Sequence, residues 1–186
     1  MRASRYLLVA LGALGTAVLF ALASGAMAQD SSSPHDRLTD WVGHWRTRIE
    51  TKETQFSHAA TEDFDGKCSM LPHGTFVVCE YVGLQPDADD GRVRNDVVLI
   101  YYSDVDKTFK FTTVLPEGGP REDLMSVDGR IWTRPFEIPR RSGGVANARE
   151  TYDFVSPKKR RARLEISIDQ GAHWTLVNEA ASTRVN

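Results

Sequence analysis

Gly43-His44-Trp45-Arg46-Thr47-Arg48-Ile49-Glu50-Thr51 is the stretch that decides the fold. Trp45, Thr47, Ile49 and Thr51 alternate with His44, Arg46, Arg48 and Glu50, the period of two that gives a strand one buried and one wet face. Just upstream, Leu38, Trp41 and Val42 stand at helical spacing for a turn or two, until Gly43 interrupts them. After Gly43 no segment carries a convincing helical stripe.

Working outward, further strand patterns follow at intervals of roughly ten to twelve residues, the spacing of short strands joined by tight turns. They fall near 58–64, 75–83, 93–102, 108–115, 122–127, 130–138, 146–155, 161–168 and 174–180. With the first strand and the region around Cys68, about ten or eleven strands result. Turn signals separate them: Asp65-Gly66, His73-Gly74, Asp89-Asp90-Gly91, 103–107, 117–120, Asp128-Gly129, 142–144 and Asp169-Gln170-Gly171. The expected fold class is all-β: an antiparallel up-and-down barrel with a short N-terminal helical turn, because closure removes the edges an open sheet would expose. A two-sheet sandwich is the alternative and would need longer crossovers. In the late strand Ala162, Leu164, Ile166 and Ile168 form an apolar face against Arg161, Arg163, Glu165 and Ser167. The run Lys158-Lys159-Arg160-Arg161 reads as a turn leading into the wet face of that strand.

Upstream of the barrel, Arg2 and Arg5 precede an apolar run from Leu7 to Leu22, and Ala26-Met27-Ala28 before Gln29 fits a small-residue cleavage site. Residues 1–28 are expected to be a signal peptide cut between Ala28 and Gln29, 29–37 a flexible leader, and 38–186 one barrel domain. The expected location is secreted or periplasmic, with no stable membrane insertion after cleavage. Net charge is −2 for the whole chain, and losing Arg2 and Arg5 makes the remainder more acidic, which argues against nucleic acid as a partner. Hydrophobic residues at 41% with 26% charged exclude disorder throughout.

An exported chain meets an oxidising compartment, and this one has two cysteines, Cys68 and Cys79. If His73 and Gly74 form a two-residue hairpin loop, Pro72 pairs with Thr75 and Cys68 falls opposite Cys79, within reach of a disulfide.

Gly43-x-Trp45 opening the first strand, with Arg184 beyond the last, resembles the calycin superfamily, the lipocalins and their relatives. The resemblance implies a barrel floor closed by Trp45 packed against Arg184, with Gly43 allowing close approach. A closer likeness runs from about Leu38 to Arg184, through Tyr102-Ser103-Asp104, Phe109, Gly129-Arg130-Ile131-Trp132 and 167–174. It resembles the bacterial family called domain of unknown function 1579, which implies a fold and no established activity. Ser167-x-Asp169-x-Gly171-x-x-Trp174 is also similar to the Asp-box of sialidases, a hairpin scaffold remote from catalysis, with His173 where that motif usually has Thr. The nitrobindins, a related calycin group, bind haem through a late-strand histidine, which singles out His173. Parity with Arg184 instead puts Trp174 and Leu176 inside and His173 outside or in the hairpin tip.

No constellation names a reaction, so no catalytic residue is assigned. The histidines His35, His44, His58, His73 and His173 make no H-x-H, H-E-x-x-H or Cys/His set, and no metal site is expected. Asp87, Asp89, Asp90 and Gly91 do not meet the calcium-loop spacing. The interior candidates are aromatic: Phe76, Tyr102, Phe109, Phe111, Trp132 and Tyr152, with Trp174 as a further member. They either fill a core or line a cavity for a small apolar or amphipathic molecule, and threonines such as Thr47 and Thr113 on the same faces favour a cavity. Haem carriage and a packed-core envelope interaction module are the alternatives. No cofactor is assigned.

Overall fold

The computed structural model describes residues 33–86, 93–115, 119–140 and 143–185. The expected signal peptide with its Ala28/Gln29 site, residues 29–32 of the leader and the acidic turn at 87–91 lie outside the described residues.

Ten strands form a closed antiparallel barrel. They are β1 (Gly43–Thr51), β2 (Ala60–Met70), β3 (Phe76–Pro86), β4 (Val93–Ser103), β5 (Thr108–Leu115), β6 (Gly119–Asp128), β7 (Ile131–Pro139), β8 (Val145–Ser156), β9 (Lys159–Ser167) and β10 (Thr175–Val185). Each strand pairs with its neighbour in sequence and β1 pairs with β10, so no strand edge is left over for aggregation. This is the up-and-down barrel that the alternating pattern implied.

Three details depart from expectation. Asp65-Gly66 is no turn: β2 runs straight through it, because Gly66 lies opposite Tyr81 and a Cβ there would fall 2.6 Å from the Tyr81 ring. The missing side chain makes room for an aromatic ring, so two expected strands become one. The expected flexible leader, 29–37, is helical at its end. Pro34–Arg37 forms α1, capped by Ser33, whose Oγ accepts from the His35 backbone while Asp36 accepts from the Ser33 N–H. Finally, a bulge between Leu176 and Asn178 reverses the inward parity of β10. Val177 is therefore the buried residue, while Trp174 lies against Gly171 and beneath the Arg149 guanidinium, 4.2 Å from its ring centroid.

The hairpin between β2 and β3 follows the expected register. The loop itself is longer than the expected two residues: Leu71 pairs with Phe76, and the Gly74 N–H donates to the Leu71 carbonyl at 3.1 Å, so the turn centres on Pro72 and on His73 at φ 84°, with Gly74 at φ 71°. Cys68 then faces Cys79, and the two form a disulfide buried within the barrel core.

α1 and the 3-10 turn Leu38–Asp40 lead Trp41 into one end of the barrel. Leu38, Trp41 and Trp45 are fully or almost fully buried there with Trp132 and the disulfide. Trp41 meets Trp132, Tyr152 and Phe154 edge to face at 4.8–5.6 Å, an arrangement that adds to the burial itself. This is the floor.

Candidate functional site

The floor depends on a small set of contacts. Trp45 donates through Nε1 to the Trp41 carbonyl at 2.9 Å. The Arg184 guanidinium lies 4.6 Å from the Trp45 ring centroid and donates to the Asp40 carbonyl at 3.2 Å. Gly43, at φ 138°, leaves the space this needs: a Cβ there would lie 2.8 Å from Arg184 Nε. The three residues singled out as Gly43, Trp45 and Arg184 thus meet at one point.

Above the floor the interior is not filled. Along the β7–β8 register the inward pairs are Trp132 with Tyr152, then Arg134 with Glu150, then Phe136 with Ala148. The first pair belongs to the floor cluster, the third to a separate apolar cluster of Ala146, Ala148, Ile166 and Val177, against which Phe56 packs from the β1–β2 connection. Between them lies a cavity of about 310 Å³, to which all ten strands contribute. Ile49, Phe64, Val98, Phe111, Ala162 and Ala180 supply apolar wall; Thr47, Thr113 and Ser182 supply hydroxyls; Arg121, Arg134, Arg160, Asp96 and Glu150 supply charge. The volume sits at the low end of the range for small-molecule pockets, about 300–1,000 Å³.

The charges are arranged unequally. Arg134 is stacked 4.2 Å over Phe111 and 4.7 Å from Phe136, and is paired with Asp123 at 3.3 Å and Glu150 at 2.6 Å. Arg121 shares Asp123 at 3.1 Å. Burial, reinforced by the neighbouring Glu150, pushes the Tyr152 phenol well above its usual range, so it stays a neutral donor. Arg160 has no such partners. It is 4% exposed, lies 4.9 Å from the Trp45 ring and 5.1 Å from Trp41, and its one hydrogen bond runs from Nη2 to Ser182 Oγ at 3.5 Å. Nε and Nη1 are buried with no hydrogen-bond partner among the described residues.

The aromatic set expected inside divides. Phe111 and Tyr152 line the cavity; Trp132 and Phe109 belong to the floor cluster, and Tyr102 packs on Phe109 and His35. Phe76 is corrected outward: with Cys79 facing in, the parity of β3 sends Phe76 out, where it stacks on Tyr101. Arg160, read as part of a solvated run, is corrected inward. It shares the parity of Ala162, Leu164 and Ile166, and one more step of that alternation would have found it. Arg134 and Glu150 likewise follow from the parity of Trp132 and Tyr152.

His173 is exposed at the β9–β10 hairpin, where its backbone N–H and Nδ1 both bond Asp169. Those contacts and the Ser167 hydroxyl hold the Asp169 carboxyl far below the usual range. Ser167 donates to Asp169 and accepts from Gly171, so the Asp-box residues knit a turn. No histidine lines the cavity, so the interior haem ligand of a nitrobindin has no counterpart among its lining residues. Among the described residues no group of three or more His, Cys, Asp or Glu is placed to hold a metal ion.

No family model matches this chain, and no curated protein matches it. Solved structures do. The chain is similar to Rv2717c from M. tuberculosis, with a TM-score of 0.55 at 13% identity over 83% of this chain and 99% of that one. It is similar also to the S-type phycobiliprotein lyase CPES from Guillardia theta, with a TM-score of 0.54 at 14% identity over 84% of this chain and 94% of that one. At such identities the likeness is one of fold, a closed ten-stranded antiparallel barrel.

Proposed function

We propose that this protein is an exported barrel that carries a small amphipathic molecule in its interior. The observation that carries the reading is the cavity itself. A core built only for stability would close at the packing density of an organic crystal, yet here about 310 Å³ stays open between two well-packed clusters. Its wall is mixed, with aliphatic and aromatic surface beside hydroxyls and guanidinium groups, which suits a molecule with an apolar body and one polar end. This favours carriage over a packed-core interaction module. Export rests on the basic start, apolar run and Ala28/Gln29 site of the first 29 residues, and the buried disulfide suits an oxidising compartment. The resemblance to the domain of unknown function 1579 adds a fold context and no activity.

The test is the mass of the protein purified from the envelope fraction, measured native and denatured on one sample. Carriage predicts extra native mass that disappears on denaturation, on a polypeptide beginning at Gln29 and two hydrogens light. A native mass equal to the bare chain would count against tight carriage, and an N-terminus at Met1 would count against export.

A further inference from the structure

Among the described residues, Arg160 is a cavity cation that no carboxylate neutralises. Asp123 and Glu150 lie against Arg121 and Arg134, whereas no carboxylate, Asp96 on β4 included, comes within ion-pair distance of Arg160 among the described residues. Leaving a guanidinium buried with two nitrogens unpaired is costly, and ring faces compensate only part of it. Proteins meet that cost where the charge has a use, and the position of Arg160 on the wall of an open cavity supplies one.

We propose that Arg160 is the recognition site for a single negatively charged acid group, a carboxylate, on the molecule carried in the cavity. This rests on the reading that the cavity is the binding site. Arg160 is a lining guanidinium with no carboxylate in ion-pair distance among the described residues, so it can take one acid group, and Asp96 and Glu150 on the same wall disfavour a dianion. The planar guanidinium fits a carboxylate with paired N–H donors. The hydroxyls of Ser182 and Thr47 are hydrogen-bonded to each other at 2.9 Å on the same wall, which leaves one of their two O–H groups as a further donor within the site. Arg160 rests on the floor aromatics, so the acid enters head first towards the floor. The apolar body then lies along Ile49, Val98 and Ala180.

Isothermal titration calorimetry of the purified protein with octanoate and with octan-1-ol at pH 7.5, on the wild type, Arg160→Met and Arg160→Lys, tests this. The expected result is that octanoate binds the wild type at least tenfold more tightly than octan-1-ol. Arg160→Met brings octanoate down to the level of the alcohol while leaving the alcohol unchanged, which also shows that the variant is folded. Arg160→Lys keeps part of the preference. Equal binding of acid and alcohol by the wild type, or full octanoate affinity in Arg160→Met, overturns the acid-recognition role while interior binding stands. Binding of neither probe overturns it as well, and if the native mass is also that of the bare chain, interior carriage fails with it.

Discussion

Two arginines approach the same indole. Arg184 and Arg160 place their guanidiniums 4.6 and 4.9 Å from the Trp45 ring centroid, and both carry buried nitrogens without hydrogen-bond partners. Arg184 comes from the end of β10, donates to the Asp40 carbonyl and ties the last strand to the segment that plugs the floor. Arg160, second residue of β9, lines the cavity above the Trp41 and Trp45 rings, and its hydrogen bonding is a long contact to Ser182. The same chemistry thus performs two tasks. At the floor the charge replaces water around a backbone carbonyl and its removal leaves that carbonyl bare. At the cavity wall the charge is desolvated without a matching anion, so its removal relieves a cost.

Removing the shared ring is the harshest way to break this comparison. Trp45→Ala deletes a fully buried indole, its bond to the Trp41 carbonyl and the surface on which both arginines rest. The expected loss is about 3–5 kcal/mol of stability, the range for large aromatic truncations in a core. Urea unfolding followed by circular dichroism reads it as a lowered midpoint, and a midpoint within error of the wild type would show that the floor is not organised around Trp45.

Separating the arginines sharpens the contrast. Arg184→Met keeps a long apolar stem but removes the donor to Asp40 and the charge over the ring, and should cost about 1–3 kcal/mol. Arg160→Met, in protein free of ligand, should be neutral or more stable by up to about 2 kcal/mol, as when a buried charge is replaced by a side chain of similar volume. The order of the two midpoints decides: if Arg160→Met is the more damaging change, its role lies in the floor and the unpaired-charge argument fails.

That pair of residues also shows what the sequence made legible. The floor was implied by the resemblance that Gly43, Trp45 and Arg184 carry, while the strand period of two placed Trp45 on the buried face; the structure puts Arg184 near the end of β10 rather than beyond the last strand. The disulfide register came out right although the loop is longer than the two residues it was derived from, because a loop centred on the same point gives the same pairing. The cavity was less legible because each wall residue comes from a different strand, and a charged side chain in an alternating pattern is ordinarily assigned to water. Arg160 sat in a basic run whose composition outweighed its parity. Gly66 misled for a related reason, since a glycine read as a turn marks instead the place where Tyr81 crosses β2. The bulge at Val177 left no trace in the pattern, so the inward parity carried back from Arg184 failed for Trp174 and Leu176.

The smallest expected effect lies at the opposite extreme from Arg160, on a charge that is exposed and fully partnered. Asp169 accepts from the Ser167 hydroxyl, the His173 backbone N–H and the His173 ring, so its carboxyl titrates below the 3.8 of a free aspartate side chain. A carboxyl depressed on folding adds stability that is fully present above its unfolded pKa and is lost as the pH falls through its folded one. Asp169→Asn should therefore lower the unfolding midpoint slightly at pH 7. The gap to the wild type should hold down to about pH 5 and narrow as the pH falls through and below the ordinary aspartate range, where the unfolded chain takes up a proton that the folded carboxyl still resists. Midpoints measured for both proteins across pH 2–7 check this. A gap independent of pH would mean that the turn is held by shape and backbone bonding, and that the Asp169 charge adds nothing to it.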